Sequence, residues 1–67
     1  MTIEYGNESY DVEEVLNGYL ITFPDGAIHL LKLEQDQNQE TIFTFENPFP
    51  GADELATIFG DKIMQQL

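Results

Sequence analysis

Residues 18–33 read GYLITFPDGAIHLLKL, two apolar runs on either side of Pro24-Asp25-Gly26, and the fold follows from how they pair. Proline holds φ at about −65°, the value wanted at the first position of a turn. Asp25 tolerates the second position, and Gly26 can take the left-handed conformation that closes a three-residue loop with a bulge. With Phe23 opposite Ala27, strand alternation places Tyr19, Ile21, Phe23, His29, Leu31 and Leu33 on one face. Leu20, Thr22, Ile28, Leu30 and Lys32 take the other. Apolar side chains on both faces mean that one packs the core, while the other needs a helix, a curled-over strand or another protein to cover it.

Toward the N-terminus, Ile3 and Tyr5 alternate with Thr2 and Glu4, and Tyr10 and Val12 alternate with Asp11 and Glu13, around Gly6-Asn7. This spacing predicts a second hairpin. A two-residue turn sets Ile3 opposite Tyr10 and Thr2 opposite Asp11, whereas a four-residue loop sets Glu4 opposite Asp11; opposed like charges destabilise a strand pair, so the shorter loop is expected.

Toward the C-terminus, residues 34–40 (EQDQNQE) lack apolar side chains and read as an exposed loop, and Thr41 to Glu46 alternates as a strand with Phe43 and Phe45 inward. Asn47-Pro48-Phe49-Pro50-Gly51 breaks that strand and forms a rigid connector. From Ala52 a helix is expected to about Leu67, with Asp53 and Glu54 favourable to its dipole and Leu55, Ile58, Phe59, Ile63 and Leu67 at helical spacing. Gly60 costs this helix ~1 kcal/mol relative to alanine, which points to close contact with the sheet or to a bend. The expected fold is α+β: one domain over residues 1–67, a small antiparallel sheet of four to five strands with two hairpins, and a C-terminal helix across one face.

Composition limits what such a domain can do. Thirteen acidic residues stand against Lys32 and Lys62, giving a formal net charge of −11, which excludes direct binding of nucleic acid or of an anionic membrane. High charge is also a mark of disorder, but a hydrophobic fraction of 42% arranged in short periodic runs reads as a folded chain. A domain this short buries only roughly 60% of the surface its unfolded chain exposes. Without cysteine there is no disulfide to compensate, and no tetrahedral zinc site can be built. The segment Met1–Tyr10 lacks a basic region and an apolar run, and no stretch approaches the ~18 apolar residues of a membrane span, so a soluble cytoplasmic protein is expected.

No catalytic residue, metal site or cofactor is expected. A serine triad would need Ser9 and His29, the sole residues of their kinds, together with an oxyanion hole in a domain too small to shelter it. The pairs Glu13-Glu14 and Asp53-Glu54 could act as acid and base only if one member were desolvated, and adjacent acids at such positions are ordinarily solvated. Glu34, Asp36, Asn38 and Glu40 alternate like calcium ligands but lack the glycine of the sharp turn and flanking helices.

The distribution of charge is more informative. Glu4, Glu8, Asp11, Glu13 and Glu14 precede residue 15, and no lysine or arginine appears before Lys32. A duplex carries one negative charge per ~1.7 Å of axis, so carboxylates in rows can occupy a site built for phosphates. The expected function is that of a non-enzymatic inhibitor binding a protein with a basic, nucleic-acid-binding surface, through Glu4, Asp11, Glu13 and Glu14 and the apolar residues Leu20, Ile28 and Leu30. Small phage-encoded antagonists of host defence, anti-CRISPR proteins among them, share the general character of a short, acidic, cysteine-poor chain without an active site; the likeness is one of type and carries no matched motif. The alternative is a subunit that self-associates, as a homodimer or adaptor, through the second apolar face.

The turn chemistry has a direct test. Gly26→Val is expected to destabilise the domain strongly, because a β-branched residue resists positive φ, while Asp25→Asn is tolerated. Equal melting temperatures for the two variants would contradict the assigned turn.

Overall fold

Turn geometry sets the path of the chain. The computed structural model describes residues 1–67. Strand β1 (Thr2–Tyr5) turns at Gly6 (φ 59°) and Asn7 (φ 66°) into β2 (Glu8–Val15). Two successive positive φ values make the tight turn whose twist matches that of the strands. Thr2 faces Asp11, Ile3 faces Tyr10 and Glu4 faces Ser9, which is the expected register and keeps the acids of the two strands apart. Strands β3 (Gly18–Thr22) and β4 (Ile28–Gln35) pair Thr22 with Ile28 and Tyr19 with Leu31. Between them Phe23 and Ala27 close the loop, Gly26 has φ 91°, and Asp25 Oδ1 accepts the Ala27 N–H at 2.9 Å.

Strand β5 (Thr41–Phe45) completes a sheet of order β1-β2-β3-β4-β5, all antiparallel. The sheet is a meander with two more hairpin connections than the sequence reading contains. Val15 faces Gly18 across Leu16-Asn17, with Asn17 at φ 70°. Leu16, an apolar residue that is 89% exposed at this turn, hides it from a reading based on hydrophobic runs. The expected loop over residues 34–40 is also shorter, because β4 continues through Gln35 and pairs it with Thr41. Asp36 then closes the turn, its Oδ1 accepting the N–H groups of Asn38 at 2.9 Å and Glu40 at 3.0 Å. A side chain that ties down its own backbone in this way makes a tight turn from a polar stretch.

Helix α1 (Ala52–Gln66) lies across the face formed by Ile3, Tyr10, Val12, Tyr19, Ile21, Leu31 and Phe45. Its N-cap, Gly51, has φ 81° and supplies no side-chain cap; the Ala52 N–H donates instead to the Phe49 carbonyl at 2.8 Å. Ala52, Ala56, Phe59, Gly60 and Ile63 are buried against the sheet, with Leu55 and Ile58 packed at the margin. Leu67 departs from the expectation: it follows the helix as its C-cap and is 73% exposed, while Gln66 beside it ties the last turn to the sheet, its Nε2 donating to the Thr2 carbonyl at 3.0 Å. Phe49 departs in the other direction, since the proline-rich connector folds its ring in against Phe45 at 5.1 Å and His29 at 4.9 Å.

Phe59 is the centre of the core. Its ring meets Tyr10 at 4.8 Å, Tyr5 at 5.9 Å, Phe23 at 6.1 Å and Phe45 at 6.4 Å between centroids, all tilted or edge-to-face. Such pairs contribute about 0.5–1.5 kcal/mol each beyond the area they bury. The next residue, Gly60, explains its own presence: a Cβ there would run into Cδ2 and Cγ of Phe43. Helix α1 and strand β5 approach so closely that only glycine fits, which decides for close contact over a bend.

This contact is testable by melting curves. Gly60→Ala adds helix propensity worth ~1 kcal/mol but forces the Phe43 ring aside at an overpacking cost of ~1–3 kcal/mol, so the variant is expected to melt lower than the parent. Adding Phe43→Leu should recover part of the loss. A Gly60→Ala variant that melts at or above the parent contradicts the close contact.

Candidate docking face

Because α1 covers one side of the sheet, the residues of opposite parity are left without an intramolecular partner. The strand registers place them in rows across the sheet. One row runs Glu13, Leu20, Leu30 and Glu46, joined at its last step by the Glu46 N–H donating to the Leu30 carbonyl at 3.0 Å. Its neighbour runs Thr2, Asp11, Thr22 and Ile28. On the other side come Val15, Gly18, Lys32 and Thr44, then Glu34 beside Ile42; Glu4 beside Ser9 occupies the far corner.

Six of the seven residues singled out in the sequence therefore share this open face: Glu4, Asp11 and Glu13 on its β1–β2 side, and Leu20, Ile28 and Leu30 at its centre. Glu14 does not join them. It pairs with Tyr19 and follows the parity of Val12, which puts it on the helix side of the sheet, exposed at the edge of the core. Glu34 and Glu46, which are not among those seven, lie on the same face on the β4–β5 side. Their parity with Ile42 and Thr44 was legible, but their place beside the leucines required the β4–β5 register, and the turn at Asp36 that sets it lay within the supposed loop.

The face is apolar at Leu20, Ile28 and Leu30, acidic on the β1–β2 side, and on the β5 edge carries Ile42 and Thr44 together with Glu46. Ile28 is 62% exposed and Ile42 40%, while Leu20 and Leu30 are half-buried by their cross-strand neighbours. Lys32 is its single base, and the Nζ lies 3.6 Å from Glu34 Oε1 in an exposed ion pair worth at most ~1 kcal/mol. No other ion pair occurs in the molecule, so the remaining carboxylates carry their charge uncompensated.

The residues considered for chemistry are dispersed. Ser9 stands on the open face opposite Glu4, and His29 stands on the helix side opposite Ile21, so the sheet separates them. The His29 ring packs against Phe23 at 4.6 Å and Phe49 at 4.9 Å, with no carboxylate in ion-pair reach. Glu13 and Glu14 point to opposite faces, and Asp53 and Glu54 are exposed in the first helical turn. Asp36, at the centre of the acidic loop, is engaged with its own backbone, and no group of three or more His, Asp or Glu side chains is gathered for a metal ion. No helix is long and apolar enough to cross a membrane. Compared with models of protein families, with curated proteins and with solved structures, the chain matches none.

The two faces are expected to respond differently to the same substitution. Ile21→Ala, on the covered face, should cost about 2–5 kcal/mol of stability. Ile28→Ala, in the adjacent cross-strand row but on the open face, should stay within ~1 kcal/mol. Chemical denaturation measures both, and equal losses would show that the outer face is also packed.

Proposed function

We propose that this chain is a small non-enzymatic binding protein that covers a basic, nucleic-acid-binding surface of another protein, an inhibitor in the manner of phage-encoded antagonists such as anti-CRISPR proteins. The observation that carries the reading is the convergence of Glu4, Asp11 and Glu13 with Leu20, Ile28 and Leu30 on one face that nothing in the chain covers. Carboxylates spaced along strands raise the local concentration of a positively charged partner and steer its approach, and the apolar centre then contributes burial once the surfaces meet. A protein with net charge −11 is repelled by the phosphates that its partner binds, so it competes with nucleic acid without binding it. The reading places the protein in the cytoplasm, where such a partner meets nucleic acid.

The exposure of Ile28 and its leucine neighbours favours a second reading, self-association through the same face. Ionic strength separates the two: docking on a basic surface weakens as salt rises, and an apolar dimer does not.

The test replaces Glu4 and Glu13 by Gln and Asp11 by Asn together, which keeps shape and strand parity and removes three charges. With the partner captured from a lysate and identified, its association rate is expected to fall about tenfold or more and to lose most of its salt dependence. The fold is retained, as reported by an unchanged circular dichroism spectrum. An association rate unchanged by the triple substitution contradicts electrostatic docking and leaves the apolar reading.

A further inference from the structure

The arrangement of the open face also specifies the shape of what it binds. Its central row reads acid, leucine, leucine, acid, from Glu13 through Leu20 and Leu30 to Glu46. Three inter-strand steps of ~4.8 Å separate the two acids at the level of the backbone, roughly 14 Å in all. Asp11 widens the acidic margin on the β2 side, Ile28 lengthens the apolar centre along β4, and Lys32 with its ion-pair partner Glu34 closes the other end of that strand.

We infer that the occupant is a basic amphipathic α-helix of the partner protein, laid along β3 and β4 with its apolar stripe on Leu20, Ile28 and Leu30 and its flanking lysines or arginines reaching the acids on both margins. This rests on the reading of the face as a protein-docking surface. Three observations lead to it. A sheet face offers side chains and no free backbone groups, so an extended segment lying on it would leave its own amides and carbonyls unpaired, whereas a helix satisfies its own. A helix is about 10–12 Å across with its side chains, which matches an apolar strip two strands wide and leaves the acids at the reach of side chains on either flank. The opposite face of the sheet is already covered by a helix, α1, packed through small and aromatic side chains; a second helix outside completes a three-layer arrangement.

A second copy of the chain fits less well. The row acid, leucine, leucine, acid reads the same in both directions, so stacking the leucines of two copies stacks their acids as well, with Lys32 as the only base on each face. Like charges set against each other across an interface are unfavourable.

Two eighteen-residue peptides of identical composition, built from leucine, alanine and lysine, provide the test. One places leucines at helical spacing with lysines on both flanks; the other scrambles the same residues. In titrations followed by ¹H–¹⁵N spectra, the amphipathic peptide is expected to become helical on binding and to shift the signals of β3, β4 and the neighbouring acids. It should bind at least tenfold more tightly than the scrambled one, and Leu30→Asp, or Glu13→Lys with Glu46→Lys should the first variant unfold, should weaken it at least tenfold. Equal affinity for the two peptides overturns the helix assignment while leaving an acidic docking face. Shifts confined to other surfaces, or no binding of either peptide, overturn the docking face itself. A dimer in sedimentation whose dissociation is needed before the peptide binds assigns the face to a second copy and overturns the proposal.

Discussion

The insertion of Phe59 among the rings of Tyr5, Tyr10, Phe23 and Phe45 is the contact on which the structure depends. The four partners come from β1, β2, the β3–β4 loop and β5, segments far apart in the chain, and the helix residue is what they have in common. An isolated helix of fifteen residues is marginal in water, and a sheet whose inner face of Ile3, Tyr10, Val12, Ile21 and Leu31 is left uncovered is no better. Each element therefore becomes stable through the other. In a chain without disulfides and with eleven residues in its buried apolar cluster, little else is present to hold the fold.

That dependence fixes which face of the sheet is left open. With a single helix available, only one face of the sheet can be sealed, and strand alternation commits Leu20, Ile28 and Leu30 to the other. The same alternation sends Glu4, Asp11 and Glu13 there, because their neighbours Ile3, Tyr10 and Val12 are needed inside. Apolar centre and acidic margin are thus consequences of one parity, and a reversal of strand register would bury the acids. The charge opposes compaction through self-repulsion, so an open apolar face beside uncompensated acids is difficult to explain by folding alone and has a ready explanation in binding.

Much of this was legible in the sequence where local chemistry is strong. The Pro24-Asp25-Gly26 loop, the Gly6-Asn7 register and the helix from Ala52 follow from turn residues, like-charge avoidance and periodicity, and each stands as read. The Leu16-Asn17 turn and the extension of β4 to Gln35 were not legible, because an exposed leucine disguises the first and an all-polar run disguises the second. Phe49 was hidden by its prolines, which mark a break in the chain but say nothing of where the ring between them goes. Glu14 was drawn into the site by its neighbours in sequence, although a shift of one residue along a strand changes its face. Gly60 posed a choice that only the position of Phe43 could decide.

One face of the sheet is sealed by the helix and the other stands open. Methyl relaxation by a soluble, neutral gadolinium chelate, measured at low protein concentration, reads this directly. Strong enhancement is expected at the methyl groups of Leu20, Ile28 and Leu30 and little at those of Ile3, Ile21, Leu31 and Ile63. Comparable protection on both faces would contradict it, and would mean that the supposed docking surface is already covered in the isolated protein.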